Sequence, residues 1–490
     1  MIDLTSFFPK NDSPLYFLTL YSCGKKHLRI MADTRKSDRK ESVFNKDWTQ
    51  GPIVSNLLLL SWPMVLMETL FVVSQVADMI WVGRLGPSAI AGVGIANIVI
   101  MLVMSMDFGL IVGVRALVAR YVGAGDMPGA NHIAAQALIL SVTWGAIMMT
   151  IGILLAEPVM GLFGLEADVI AEGMAYMRVM FAGWIAMDVM VMALYIVQSS
   201  GDTIRPMMIE ALLRIIHVTL CPFLVLGLWI FPRMGVSGAA LSNIISQVLG
   251  TVLVLWLLFG GATRLHLRRK DFRLDLNVIF RILKIGIPAL VMNLQRSLGQ
   301  FILTWFIAPF GTLAVAAHSL AIRAEMFVFL PGMGFGMGAG VLVGQNLGAN
   351  QPERAEKSAW VASRILQAFM VVCSAAILLW AESIMSLFTT DPGLLKLGAT
   401  FIRISTAAFF VMAFTSVLQS CIAGAGDTVP NMIISIAIIW AIMLPLAFIL
   451  PRVTDLGVLG VRWAVSISTV AGSIVYIAYF RTGRWKLKKV

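Results

Sequence analysis

The chain has 490 residues, 59% of them hydrophobic and only 13% charged, whereas soluble globular proteins are about 45–50% apolar. That composition excludes an ordinary soluble protein and calls for a polytopic membrane protein. The net charge of +11 does not mark a nucleic-acid binder, because the basic residues cluster in the N-terminal stretch, one central loop and the C-terminus, where they orient a membrane chain.

Residues 1–51 are polar, basic and without periodicity, and read as a cytoplasmic tail carrying Lys25, Lys26, Arg35, Lys36, Arg39 and Lys40. The apolar patch at 15–21 is too short for a span or a signal peptide, and Met31 opens a more ordinary leader, so residues 1–30 are a candidate over-extended start. Twelve apolar runs then follow at about 57–82, 90–114, 131–156, 170–196, 206–230, 236–259, 277–307, 313–342, 356–380, 395–420, 430–450 and 457–480, each long enough to cross a hydrocarbon core. They divide into an N-terminal six-helix lobe (52–259), a basic cytoplasmic linker (260–276) containing RLHLRRKDFR, a C-terminal six-helix lobe (277–480) and a basic tail (481–490) with Arg484, Lys486, Lys488 and Lys489. An even number of spans on each side of the linker puts both termini and the linker on one face, while the opposite loops 157–169 and 381–394 carry Glu157, Glu166, Asp168, Glu382 and Asp391. The positive-inside rule makes the basic face cytoplasmic, in an inner or plasma membrane. Cys23, Cys221, Cys373 and Cys421 form no C-x-x-C pair, so neither a disulfide framework nor a metal site is indicated.

The two halves repeat. Pro63 and Pro288 begin equivalent spans 225 residues apart (288 − 63), and the same offset pairs Gly86 with Gly311, Gly123 with Gly348, Glu157 with Glu382, Phe163 with Phe388, and the Gly-Asp-Thr segments at Gly201 and Gly426. Six spans per unit give both copies the same topology, so the repeats are parallel, related by an axis along the membrane normal. Such repeats enclose a midplane cavity and rock against each other. The expected fold is therefore all-α, twelve transmembrane helices in two lobes around a central cavity.

Several segments also carry a family resemblance: DMIWVGRLG from Asp78 to Gly86, the Ala-Ala-His sequence ending at His318, VGQNLGA at 343–349 followed by PERA from Pro352, and the paired Gly-Asp-Thr segments. Over about residues 52–480 the chain resembles the multidrug and toxic compound extrusion (MATE) family. The resemblance implies a cation-coupled antiporter whose two six-helix lobes form a V-shaped cavity, and Asp78 matches the first-helix acid that the DinF-like branch uses for ion coupling. Four positions depart from the pattern. His217 and Cys221, before Pro222, stand where that branch carries Asn and Asp. Asn243 replaces a sixth-helix Thr, and Arg296 takes the place of the seventh-helix Glu of the NorM-like branch. These departures touch the usual sodium sites and leave the fold intact.

The first span carries two carboxylates, Glu68 and Asp78, which with Gln75 can face one side of a helix at about 100° per residue. Charge at that depth is costly and marks a pathway, the alternative being acids near helix ends or in permanent pairs. Glu68, Gln75, Asp78, His217 and Asn243 form the candidate ion-coupling set. Asp107, Asp188, Arg296, Arg323 and Glu325 form the candidate substrate-cavity set. Asp188 has Arg178 and Arg214 as candidate partners, and Glu325 sits beside Arg323. His217 is either a proton relay or a neutral imidazole bonded between helices. His318 is expected to be structural, bonding a neighbouring backbone. Asp202 and Asp427 read first as helix N-caps and second as gating residues. Gly332, Gly336, Gly340 and Gly344 form a four-residue ladder suited to close helix packing and bending after Pro331, without the strand-turn-helix setting of a nucleotide loop. Thirty methionines suit a deformable pocket, as they also suit ordinary lipid-facing helices.

No G-x-S-x-G, H-E-x-x-H or Walker sequence occurs, so no enzyme or ATP-driven pump is expected, no catalytic residue or cofactor is assigned, and an ion gradient must supply the energy. Protons are favoured over sodium. Sodium is a hard cation requiring several oxygen ligands, which His217 and Cys221 do not supply, whereas protons need one carboxyl. Gln75 and Asn243 are expected to hydrogen-bond the protonated Asp78, with Asp188 or His217 taking over its proton. The competing arrangement holds sodium at Asp78 with Glu68, Asn243 and water. Expected partners are small organic cations and the bilayer, with no nucleic acid and a monomeric chain. The alternatives are a flippase or exporter of a lipid-linked or anionic metabolite on the same fold, for which Arg115, Arg178, Arg214, Arg296 and Arg323 would hold head groups, and, more remotely, a channel or membrane enzyme.

Overall fold

The computed structural model describes residues 46–164 and 166–488. Cys23, the tail residues Lys25, Lys26, Arg35, Lys36, Arg39 and Lys40, and Lys489 lie outside them. The regular structure among the described residues is helical: α1 (Ile53–Gly83), α2 (Pro87–Gly123), α3 (Met127–Gly161), α4 (Ala167–Ala182), α5 (Trp184–Ser199), α6 (Ile204–Leu226), α7 (Val236–Phe259), α8 (Leu276–Ile307), α9 (Thr312–Gly348), α10 (Pro352–Ser386), α11 (Pro392–Gly424), α12 (Thr428–Ile436), α13 (Leu444–Val453) and α14 (Val458–Arg481). Eleven spans are long and apolar enough to cross a membrane, and α4 with α5 makes a twelfth, bent by 54° at Gly183. Twelve spans were expected; the break in the fourth was not. Where Gly183 sits, a Cβ would run into Ile244, so the bend accompanies a close approach of α7. The eleventh span is continuous from α12 to α13 through a π-helical turn, Ala437–Met443.

The repeat extends from sequence to backbone. Glycines with positive φ recur at Gly86 and Gly311 and at Gly201 and Gly426, and Asn350 adopts the left-handed conformation of Gly125 at the same offset. Arg178 bonds Glu157 at 3.2 Å, and Arg403 bonds Glu382 at 3.3 Å, again 225 residues on. Residues 263–275 connect the halves and are fastened to α3. Gln136 donates to Arg273 O at 2.8 Å and accepts from Asp275 N at 3.0 Å. Asp275 caps α8, accepting from the amides of Asn277 and Val278. The hydrogen bond from His132 holds the Asp275 carboxyl below the usual carboxylate range, with those amides adding to the effect.

We call the end of the bundle carrying this linker basal and the other end distal. The halves join basally by an exchange of helix starts. Leu57 and Leu60 of α1 are buried in the core of the second half, while Ile282 and Ile285 of α8, one repeat later, are buried in the core of the first. Each such side chain contributes about 1.5–3 kcal/mol on burial. Small residues allow the approach: a Cβ at Gly109 would meet Gly286 O at 2.9 Å, and one at Gly334, one repeat later, would meet the Val65 backbone at 2.8 Å. At the crossing of α2 and α9, Gly123 abuts Gln345 and Gly348 abuts Arg120, residues again related by the repeat, so the pseudo-twofold axis passes through this crossing. Distally, Gly83, Gly86, Gly94 and Gly311 face nothing within 4 Å of an added Cβ.

Two expected tails prove to be partly built into the fold. Residues from Asp47 onward belong to the compact unit, with Trp48 buried beside Gly201 and Arg354 donating to Gly51 O at 2.7 Å. At the other end Trp485 is fully buried against Phe480, Lys486 pairs with Glu356, and Lys488 bonds Asp427 at 3.2 Å. The positive charge of the C-terminal segment is thus partly neutralised in place.

Candidate functional site

The first half holds a polar cluster in its interior. Asp78, late in α1, faces α6, where His217 and Cys221, one turn apart, share a face. Asp78 Oδ1 lies 3.1 Å from His217 Nε2, and Ser74 Oγ is 3.0 Å from His217 Nδ1. His217 and Cys221 are 1% and 0% exposed, while the Asp78 side chain keeps 22% exposure, so Asp78 is the edge of the cluster that meets the outside. Of the two fates expected for His217, a partner in another helix is what the structure provides, and that partner is the ion-coupling candidate itself. Cys221, expected neither in a metal site nor as a sodium ligand, joins Asp78 and His217, all three ligand atoms lying within 4.8 Å of one another.

The rest of the expected ion-coupling set does not converge here. Gln75 is exposed, and the residue of its turn that faces the cluster is Ser74. Asn243 lines a recess between α6 and α7 with His217, Glu210, Arg214, Ser246 and Gln247, and accepts from Gln247 at 3.4 Å rather than bonding Asp78. Because α1 runs unbroken through both acids, Glu68 stands about 15 Å along the axis from Asp78 at 1.5 Å per residue, too far to share an ion. Glu68 lies instead in the field of Glu210, Arg115 and Arg214.

Other predicted partners are also redistributed. Arg214 pairs with Glu210, its Nε donating at 2.8 Å, and Arg178 with Glu157, so neither serves Asp188. That residue is buried on α5 near Asp107, which accepts from Trp144 Nε1. Arg115 of α2 donates to Met337 O of α9 at 3.0 Å, tying the halves together. Arg296 is exposed on α8 and reaches Gln419 Oε1 at 3.3 Å. Asp202 accepts from Arg205 N at 3.2 Å, as a cap would. Asp427 makes no cap bond; its carboxylate receives Tyr479 Oη of α14 at 2.5 Å and Lys488 of the C-terminal segment at 3.2 Å. The glycines of the α9 ladder lie close to three helices: a Cβ at Gly336 would meet Ser420 Oγ of α11 at 2.9 Å and one at Gly340 would meet Ser420 O at 2.7 Å, while Gly332 faces Met370 of α10 and Gly344 faces Ala119 of α2 and Gly424 of α11.

The second half contains a network the sequence reading missed. Arg462 of α14, 3% exposed, pairs with Glu325, donates to Ser405 Oγ at 2.7 Å and stands 3.2 Å from His318 Nδ1. Glu325 therefore answers Arg462 and not the exposed Arg323, and His318 meets a guanidinium rather than a backbone group. Glu325 also edges a cavity of about 310 Å³ with otherwise apolar walls, among them Phe327, Val328, Ile377 and Phe388. A single arginine in an apolar run has no periodic signature, and its partner lies 137 residues away.

Twelve spans in two parallel repeats, joined at one end and holding charged groups in their interior, define a membrane transporter rather than an enzyme. The MatE family profile matches residues 63–223 and again 288–449, one copy per repeat. The chain belongs to this family, that of the multidrug efflux transporters. Among its relatives, the probable multidrug resistance protein NorM of Thermotoga maritima is 25% identical over 449 residues, covering 89% of this chain and 94% of that protein. The FAD transporter of Shewanella oneidensis is 26% identical over 398 residues, covering 81% and 88%. A solved structure described as the outward-facing conformation of a multidrug resistance MATE family transporter matches with a TM-score of 0.84 at 25% identity, over 90% of this chain and 98% of that one.

Proposed function

We propose that this chain, in a cytoplasmic membrane with both termini inside, exports small organic cations in exchange for protons, the two halves rocking about their basal junction. One observation carries the coupling: the Asp78 carboxylate lies 3.1 Å from the His217 imidazole at the exposed edge of an otherwise buried cluster. A carboxyl and an imidazole at that separation can pass one proton between them, and rocking of the halves changes how much of Asp78 meets water. The repeat argues that the cluster serves a use other than packing. The positions 225 residues after Asp78, His217 and Cys221 are Leu303, Ile442 and Leu446, and Leu303 sits in an apolar cluster. The protein is taken to work as a monomer, since each chain supplies both halves.

The test is uptake of a fluorescent organic cation into proteoliposomes of the purified chain. Transport is expected to run on a pH gradient in sodium-free buffer, to stop in Asp78→Asn and to persist in Arg296→Ala. Strict sodium dependence, or proton-driven transport by Asp78→Asn, would overturn the coupling. A second reading, export of an anionic metabolite, is favoured by the exposed Arg296 and by the relative named an FAD transporter. Uptake of FAD, but not of the cation, by the same vesicles would select it.

A further inference from the structure

We propose that Asp78, His217 and Cys221 bind one divalent metal ion of the zinc class, and that this ion competes with the proton for the same side chains. The binding stands on geometry alone; its effect on transport rests on the proton coupling proposed above.

The donor set is one carboxylate oxygen, one imidazole nitrogen and one thiol sulfur, mutually within 4.8 Å. In a tetrahedral zinc site, bond lengths of about 2.0–2.3 Å place ligand atoms roughly 3.3–3.8 Å apart, so only a small closure is needed. Nitrogen and sulfur donors suit zinc, cobalt or cadmium and discriminate against sodium, magnesium and calcium. Two of the three ligand atoms have no hydrogen-bond partner. Asp78 Oδ1 and His217 Nε2 are both buried and, although 3.1 Å apart, neither makes a hydrogen bond. A cation between them would satisfy both.

The surroundings are those of a ligand site. Ser74 Oγ, 3.0 Å from Nδ1, can accept the Nδ1 proton and leave the Nε2 lone pair facing Asp78, the outer-shell contact that orients metal-bound histidines. His217 and Cys221 are four residues apart on α6, and so on one face of the helix. Three protein ligands leave a fourth position for water, reached along the exposed edge of Asp78. Bound metal would hold Asp78 and His217 unprotonated and displace the thiol proton, which blocks proton exchange at the site.

The full-length chain, purified and stripped with a chelator, would be titrated with Co2+ and then with Zn2+. The expected result is one Co2+ per chain with a thiolate-to-cobalt charge-transfer band, displaced by one Zn2+. Cys221→Ser should remove the band and Cys373→Ser should keep it. Ser74→Ala, which retains every ligand, should weaken affinity by about tenfold or more, and this variant decides the matter if Cys221→Ser fails to fold. No charge-transfer band in the parent chain, a band surviving in folded Cys221→Ser, or an unchanged affinity in Ser74→Ala would overturn the site. Transport in metal-free, sodium-free vesicles separates the two proposals. Proton-driven uptake without Co2+ binding sinks the metal site alone. Co2+ binding in protein that a pH gradient cannot drive sinks the coupling alone. With both present, Zn2+ should inhibit uptake, and uptake indifferent to bound Zn2+ would refute the competition.

Discussion

Arg462 shows what one side chain can decide in an apolar bundle. Its guanidinium is buried among Glu325, Ser405 and His318, and the positions one repeat earlier than His318, Glu325 and Ser405 are Val93, Ile100 and Met180, all in an apolar cluster. Arg462 itself answers to Ser237, so the partners of the guanidinium, and not the whole cluster, are exchanged for hydrocarbon in the other half. Breaking a buried ion pair by removing one partner typically costs about 3–5 kcal/mol, while replacing both with apolar residues is often near neutral. Arg462→Ala should therefore lower the thermal midpoint of the detergent-solubilised protein well below that of a variant with both Arg462→Leu and Glu325→Leu. A double variant as unstable as the single one would show that the pair itself is not what Arg462 serves. None of this was legible in the sequence, where Glu325 had Arg323 two residues away; a helix turns those neighbours about 200° apart, and only the approach of α14 provides the real partner.

At the level of elements, the glycine ladder of α9 was readable because a spacing of four is a helical signal and small residues imply close approach. The structure adds the identity of the neighbours, which at Gly336 is α11, through Ser416 and Ser420. Gly336→Leu places bulk against Ser420 Oγ, and overpacking of this kind costs about 1–3 kcal/mol. Reduced yield of folded protein and slower transport are expected, with the coupling ion unchanged; normal expression and transport would refute the packing role. The exchange of helix starts between halves was not readable. Leu57, Leu60, Ile282 and Ile285 are ordinary apolar residues at the beginnings of apolar spans, and nothing in a hydropathy pattern says whose core they enter. The packing crosses the lobe boundaries expected at 52 and 277.

For the molecule as a whole, the basal junction is the feature on which the proposed rocking depends. A Cβ added at Gly338 of α9 lies 3.1 Å from the Ser61 Cβ of α1, close to the separation of about 3.5–4.5 Å that a disulfide needs. Oxidising a variant with both Ser61→Cys and Gly338→Cys should hold the basal end shut and stop transport, reversibly on reduction. Full transport by the crosslinked protein would exclude opening at this junction. Orientation is tested separately: a cysteine at Gly164, in a distal loop, should react with an impermeant reagent from outside intact cells, and one at Lys270 only after the membrane is breached. Labelling of both from one side would reverse or refute the proposed topology.

Composition, span length and internal offset are properties of the chain taken in order, and they alone determined that this is a twelve-span membrane protein built from two parallel repeats. They did so because a bilayer requires each span to satisfy its own backbone and to be apolar for a set length. Asp78 was legible for the same reason, since a charge is conspicuous where every neighbour is hydrocarbon. Which groups meet Asp78 was decided only by tertiary structure. Gln75 and Glu68 share its helix and yet stand aside, whereas His217 and Cys221, well over a hundred residues away, complete the cluster. Contacts between helices depend on how two faces are rotated and shifted against each other, and in a uniformly apolar sequence no periodicity records that choice.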